Sequence, residues 1–304
     1  VPTAKGLTTV PMIKAAFQGE IDVLYNVGGN LLHTMPDPDA ISEAMGRVKL
    51  RIHQDIVVNA SMLIDPGETL LLLPAQTRYE QRGGGTSTST ERRIRFSPEI
   101  PNHPQVGESR PEWEIPCQFV MAANPDLTHA FNYGDAQDIR NEMGRTMPVY
   151  AGIETLRKAG DWVQWGGPQL CSDGFPTMPG GRARFTVLDP PSRMAPEGQW
   201  MLTTRRGKQF NSIIIKSKDH LQGGRDRDDL YMNPSDIAAL GLTDGSPVRV
   251  HNEHGEWRAR LREMPIKPGV IQAYWPECNP LIPLNMDPRS EEPDYNAAVF
   301  IEAL

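Results

Sequence analysis

Three stretches of the chain combine residue types that can grip a polyanionic, hydrogen-bonding ligand. The first is Gly83-Gly84-Gly85-Thr86-Ser87-Thr88-Ser89-Thr90 followed by Glu91-Arg92-Arg93-Ile94-Arg95, where free backbone N–H groups beside guanidinium groups suit a phosphate or pyrophosphate; the alternative is an exposed loop with a solvated charge run. The second is Arg205, Arg206 and Lys208, with Gln209, Asn211 and Ser212 as neutral donors. The third is Tyr25-Asn26-Val27-Gly28-Gly29-Asn30, a glycine turn with amide side chains at its flanks. Other templates are missing. Gly207-Lys208 is followed by Gln209 and lacks the earlier glycine of a P-loop, and there is no Gly-x-Ser-x-Gly elbow, no His-Glu-x-x-His and no Gly-x-Gly-x-x-Gly after a strand. Cys117, Cys171 and Cys278 are too widely spaced for a zinc or iron–sulfur motif, so a metal centre takes its ligands elsewhere.

The elements that must position these residues fall into two regimes. Pro11 marks a helix start, with Ile13, Ala16 and Phe17 at helical spacing before Gly19. Residues 21–25 read as a strand whose carboxyl-end loop is Asn26-Val27-Gly28-Gly29-Asn30. Asp37 caps a helix with Pro38 at its first position and Ile41, Ala44, Met45 and Val48 as its apolar stripe. A strand over 50–53 ends in Gln54-Asp55, and one over 69–73 is apolar enough for burial on both faces of a parallel sheet. In such open sheets ligands sit at the carboxyl ends of the strands.

From about residue 190 the pattern changes to short strands. Strands are expected over 200–204, 247–251, 257–261 and 269–274, the middle pair joined by a turn at 252–255, with one short helix capped by Asn233 and begun by Pro234. The expected architecture is α/β plus β: a partial, parallel-sheet Rossmann-like domain over 1–165, incomplete at its N-terminus, a Gly- and Pro-rich linker over 166–193, and a double-psi-type β-barrel over 194–304. At 304 residues two domains are the prior, and 28 prolines, about twice the usual share of roughly 5%, indicate long ordered loops. The net charge of -7 argues against a nucleic-acid partner, and no apolar run reaches the eighteen or so residues of a membrane span. The abrupt start at Val1-Pro2-Thr3 reads as an excised or processed fragment, and the localisation expected is cytoplasmic.

The order Tyr25 to Asn30, Gln54-Asp55, Leu73-Pro74, Glu80, a Gly-Thr segment and Glu91-Arg92 resembles the third domain of the molybdopterin oxidoreductases. Leu202 to Ser212, Tyr231 to Asp236, Cys278-Asn279-Pro280-Leu281 and Asp294-Tyr295-Asn296 resemble their fourth, dinucleotide-binding domain, and Thr204-Arg205-Arg206-Gly207-Lys208-Gln209-Phe210-Asn211-Ser212 points to the YdeP-like, formate-dehydrogenase-like subgroup. The likeness covers nearly the whole chain.

The resemblance implies bis-molybdopterin guanine dinucleotide (bis-MGD) with Mo or W, a 4Fe-4S cluster and the protein metal ligand both upstream of this segment, and hence no catalytic residue here. It implies a small substrate such as formate, and as partners the rest of the polypeptide and an electron-transfer protein. The implied cofactor-binding residues are Asn26, Gly28, Gly29, Asn30, Gln54, Asp55, Glu112, Thr204, Arg206, Gln209, Phe210, Asn211, Ser212, Asn233, Asn279, Tyr295 and Asn296. Glu112 stands where the family usually has the aspartate that reads the guanine edge. Duller duties compete: a turn for Gly28 and Gly29, a cap for Asp55, a helix start after Pro111 for Glu112, an N-cap for Asn233, and packing for Phe210 and Trp275. Cys278 reads as structural. The other function classes are a non-catalytic carrier of the pterin nucleotide and an unrelated α/β-plus-barrel binding protein.

Overall fold

The computed structural model describes residues 3–189, 195–208, 214 and 216–304. The chain packs as two compact units, one from Val1–His53, Val58–Leu72 and Pro190–Leu304, the other from Gln54–Val57 and Leu73–Asp189.

The first unit begins with α1 (Thr9–Phe17), β1 (Val23–Val27), α2 (Leu31–Thr34), α3 (Pro38–Arg47), β2 (Leu50–Asp55) and β3 (Thr69–Gln76). Helix α1 starts at Thr9, two residues before Pro11, because a proline without an N–H is tolerated anywhere in the first turn. Asp37 enters α3 in the left-handed region (φ 53°), and its carboxylate accepts the Ala40 N–H at 3.1 Å, with Pro38 behind it. Val10, Ile13 and Ala16 of α1 meet Ile41, Ala44 and Met45 of α3 over Leu24 and Val48, so one apolar stripe per helix closes this core. Strands β1, β2 and β3 are neighbours in that order in a parallel sheet. The apolar run of β3 is less covered than its composition suggests: Leu71 and Leu72 are 39% and 46% exposed. An apolar run measures capacity for burial, and the cover has to come from elsewhere. Arg51 on β2 is fully buried and donates to the carbonyls of Ser61 and Ile64, clamping the turn over 60–64.

The second unit holds β4 (Gly85–Thr88), β5 (Arg93–Ser97), β6 (Arg110–Pro111), α4 (Glu114–Ala123), α5 (Thr128–Phe131), α6 (Ala136–Thr146) and β7 (Trp162–Gln164). Strand β6 pairs in parallel with the end of β3, Ala75 opposite Arg110 and Gln76 opposite Pro111. Strands β4, β5 and β7 form an antiparallel sheet whose inner residues Ile94 and Phe96 pack on Ile153 and Leu156.

The remaining strands belong to the first unit: β8 (Trp200–Arg205), β9 (Lys218–Asp219), β10 (Arg225–Asp226), β11 (Asp229–Met232), β12 (Pro247–His251), β13 (Glu256–Glu263), β14 (Val270–Tyr274) and β15 (Asn296–Ala303), with α7 (Pro234–Ala239) after β11. Six of them close a barrel in the order β11-β13-β12-β15-β8-β14. Two pairings are parallel, β11 with β13 and β8 with β14, and the other four antiparallel, a barrel of the double-psi type. Alternate residues point inward, so Leu202, Leu230, Val248, Val250, Leu261, Ile271 and Val299 fill the interior with no exposed surface.

Candidate functional site

In the first unit, three of the anticipated residues meet at the segment after β1. Gly28 (φ +66°) and Gly29 (φ +79°) make a turn that only glycine adopts freely, and the space where their Cβ atoms would point is open. The turn is braced from both sides, since Asn26 Nδ2 and Asn59 Nδ2 donate to the Gly29 carbonyl at 3.3 and 3.2 Å. Asn30 is 2% exposed; its Oδ1 accepts from Ser61 Oγ at 2.9 Å and its Nδ2 lies 3.3 Å from His33 Nδ1. From the barrel side, Asn279 Nδ2 donates to the carbonyls of His33 (2.9 Å) and Met35 (3.0 Å), and Tyr295 Oη donates to that of Thr34 (2.6 Å). Asn30, Asn279 and Tyr295 thus converge on the stretch 30–35.

Beside this junction lies a cleft of about 560 Å³ lined by Leu32, His33, Pro38, Asp39, Ser42, Arg227, Pro276, Glu277, Asn279 and Pro280. Asn279 is 1% exposed, yet its Oδ1 has no hydrogen-bond partner among the described residues. A buried carbonyl oxygen left without a donor costs about 1–3 kcal/mol. Arg227 and Glu277 form an ion pair on the same wall. These two and His33 were not anticipated; their proximity to Asn279 is a tertiary fact, and only the adjacency of Glu277 and Asn279 in sequence hinted at it. Cys278 is fully buried, and burial followed by the Glu277 charge pushes its thiol well up, which fits the structural role expected for it.

The loop after β8 is pinned at its start. The Lys208 N–H donates to Asp219 Oδ2 at 2.6 Å, and Gln222 Nε2 donates to the same oxygen at 2.9 Å. Arg205 lies over the rings of Tyr231 and Tyr274, at 5.0 and 5.2 Å, and donates to Gln222 and Gln272. Arg205 therefore supports the barrel rim, while Arg206 is exposed, with the Trp275 ring 5.7 Å away as its one contact among the described residues. Thr204 sits on β8 opposite Ala273. Gln209, Phe210, Asn211 and Ser212 lie outside the described residues.

Two anticipated residues are occupied by local duties. Asn233 caps α7, its Oδ1 accepting from Ser235 N and Oγ (2.9 and 2.7 Å) and its Nδ2 donating to Ile266 O (2.6 Å). Asn296 spends its backbone N–H and Nδ2 on Asp294 Oδ1 at 3.0 and 2.8 Å.

The second unit gathers the other three anticipated residues. Gln54, fully buried, donates its Nε2 to the Glu112 carbonyl at 2.9 Å, while Asp55 Oδ1 accepts the Ile56 N–H at 2.7 Å. Glu112 lies in the turn between β6 and α4, since the helix begins at Glu114 rather than directly after Pro111. Burial, then the charge of Asp55, raises its carboxyl pKa. The glycine run has a packing role here. A Cβ on Gly84 would lie 2.6 Å from the Phe96 ring and one on Gly83 2.9 Å from Asp135. Arg92 Nη1 donates to the carbonyls of Trp165 (2.5 Å) and Gly167 (2.9 Å), Arg93 covers Trp162 at 4.3 Å, and Arg95 pairs with Glu91. Arg92 is thus held by backbone carbonyls, whereas Arg93 keeps a buried Nε without a partner among the described residues and Arg95 lies in an exposed pair.

The barrel is the part whose class is defined: residues 200–299 match the family model for the molydopterin dinucleotide binding domain. The proteins similar to the chain as a whole include formate dehydrogenase alpha subunits, YdeP and other oxidoreductases. It is 28% identical to a formate dehydrogenase subunit alpha of Methanocaldococcus jannaschii over 92% of this chain and 42% of that protein, and 24% identical to protein YdeP of Escherichia coli over 97% and 41%. An oxidoreductase of Mycobacterium bovis is 27% identical over 99% of this chain and 41% of that protein. The fold is shared with acetylene hydratase from Pelobacter acetylenicus, with a TM-score of 0.63 at 15% identity over 96% of this chain and 46% of that one. The chain therefore spans about two fifths of the length of these curated relatives. Among the described residues no helix is long and apolar enough to cross a membrane.

Proposed function

We propose that this chain binds molybdopterin guanine dinucleotide and is the C-terminal part of a molybdenum or tungsten enzyme, formate-dehydrogenase-like, that oxidises a small substrate such as formate and passes electrons to a separate acceptor. The reading carries with it a bis-MGD centre, a metal ligand and a 4Fe-4S cluster supplied by segments outside these 304 residues, and a cytoplasmic location. Its support is the open, buried Oδ1 of Asn279 on the wall of the 560 Å³ cleft, in a barrel of the dinucleotide-binding class. Pterin and guanine edges are rich in N–H donors, and an unpartnered carbonyl oxygen is the acceptor they need. When bound, the cofactor supplies the two-electron redox chemistry.

The chain's own residues would do the holding. Asn279 and Tyr295 fix the stretch 30–35, the Gly28-Gly29 turn gives a ligand unobstructed approach to backbone, and Arg206, exposed and free of any ion pair among the described residues, is available to a pyrophosphate. Glu112, whose carboxyl holds its proton to higher pH than an ordinary glutamate, would read a guanine edge once ionised. The test is the content of the purified full-length protein: Mo or W by mass spectrometry, and guanine nucleotide released on denaturation. One or two nucleotides per chain with metal is expected. Nucleotide without metal would favour a carrier, and absence of both would sink the proposal.

A further inference from the structure

The second unit contains a cavity of about 310 Å³ that the cofactor reading does not use. It is lined by Gly83, Gly84, Phe96, Pro98, Glu99, Asp135, Gln137, Arg140 and Arg157, none of them among the anticipated cofactor residues. Arg140, on α6, is 4% exposed. Its Nη2 donates to Gly83 O and Gln137 Oε1, both at 2.7 Å, its Nη1 lies 3.4 Å from Gly84 O, and its guanidinium lies 4.9 Å from the Phe96 ring centre. All these partners are neutral. The Nε of Arg140 is buried with no hydrogen-bond partner among the described residues. Among the described residues the Arg157 guanidinium donates only to the carbonyls of Glu154 and Leu156. The carboxylates on the same wall have other duties, Asp135 accepting the Gln137 and Asp138 N–H groups at the start of α6 and Glu99 facing His103 at 3.5 Å.

We propose that this cavity binds a small oxyanion, a carboxylate or phosphate group, between Arg140 and Arg157. A cation held inside a protein without a direct ion pair is costly, and here a second guanidinium adds repulsion. Burial first, and then the Arg157 charge, disfavours the charged form of Arg140, with Asp135 opposing. A bound oxyanion removes both penalties at once and completes the donor set of Arg140 through charge-assisted bonds. Gly83 and Gly84 pack against Asp135 and Phe96 on the cavity wall too closely for any side chain, which brings the Gly83 and Gly84 carbonyls to Arg140.

The experiment is calorimetric titration of the intact protein with inorganic phosphate and, separately, acetate, at constant ionic strength set by chloride. Saturable binding of either is expected, phosphate alone or acetate alone naming which oxyanion the site takes. Arg157→Ala and Arg140→Met should each weaken that binding at least tenfold. Because Arg157 is exposed and carries no core packing, its variant reads the site even where the buried substitution unfolds the protein. Undiminished binding by Arg157→Ala, or no saturable binding of either anion by the unaltered protein, would overturn the proposal. The cofactor content of the same samples reads the cofactor proposal independently.

Discussion

At the scale of single residues, what separates candidate ligand contacts from structural duty is whether a polar atom has been used up. Asn233 and Asn296 place their amides on neighbours within the chain, whereas Asn279 spends its Nδ2 and leaves its Oδ1 open. Arg205 and Arg206 are adjacent yet differ in the same way: one is stacked between two tyrosines, the other is exposed. Arg206→Ala is therefore expected to lower Mo and guanine nucleotide content of the full-length protein at purification while changing stability by less than about 0.5 kcal/mol, as for an exposed position. Arg206→Lys should restore only part of the content, because the planar fork matters beyond charge. Full metal and nucleotide in Arg206→Ala would return this residue to a solvated charge.

Glu112 yields a prediction with a definite sign. Its carboxyl pKa is raised, by burial first and by Asp55 second, so the folded state holds this proton more tightly than the unfolded chain does. Stability from this group is consequently lost as pH climbs from the ordinary glutamate range through the raised value, and guanine recognition by the carboxylate appears over the same climb. Asp55→Asn removes the second cause. The Glu112 midpoint, followed by carbon-13 NMR of its carboxyl, should move down in that variant, and an unmoved midpoint would leave burial as the whole cause.

At the scale of elements, local chemistry and tertiary contact share the work. The caps at Asp37 and Asn233 are used as the sequence suggests, and Asp135 caps α6 in the same way, each side chain taking backbone N–H groups of the helix it precedes. Strand pairing depends on partners far away in sequence. Asp229 on β11 has a side chain 1% exposed and is met by Arg262 on the parallel strand β13, 2.7 Å from Nε. Removing the arginine leaves a buried carboxylate without its cation, and Arg262→Ala should cost about 3–5 kcal/mol in urea unfolding. A loss below about 1 kcal/mol would mean that water reaches Asp229 and that the pair contributes no more than a surface bridge.

For the whole molecule, the two units divide the anticipated residues between them: ten of the described ones lie in the first, and Gln54, Asp55 and Glu112 in the second. The first unit joins the opening α/β segment to the barrel through Asn279 and Tyr295, although 246 and 261 residues separate these from His33 and Thr34. If the metal ligand comes from outside these 304 residues, as the proposal holds, the chain on its own should give no formate oxidation with artificial dye acceptors. Turnover by this segment alone would overturn that assignment of roles.

The sequence by itself determined what is local or periodic. Apolar spacing set the stripes of α1 and α3, alternation set the inward faces of β12 and β13, and Pro after Asp or Asn marked the starts of α3 and α7. Ordered motifs across both regimes pointed to the dinucleotide-binding class. Only the tertiary structure decided which polar atoms remain available. The Gly83-Gly84-Gly85 run and its three arginines could be a phosphate loop or a solvated loop in sequence; the fold adds that Phe96, Asp135 and Arg78 come within 3 Å of where a Cβ would stand, and that Arg92 donates to backbone carbonyls of the same unit. Likewise no spacing rule reveals that, among the described residues, Arg140 is buried without an ion pair and Asn279 holds one open oxygen. Hydrogen-bond satisfaction and desolvation depend on every atom within a few ångströms, and a linear sequence does not order those atoms until the chain has folded.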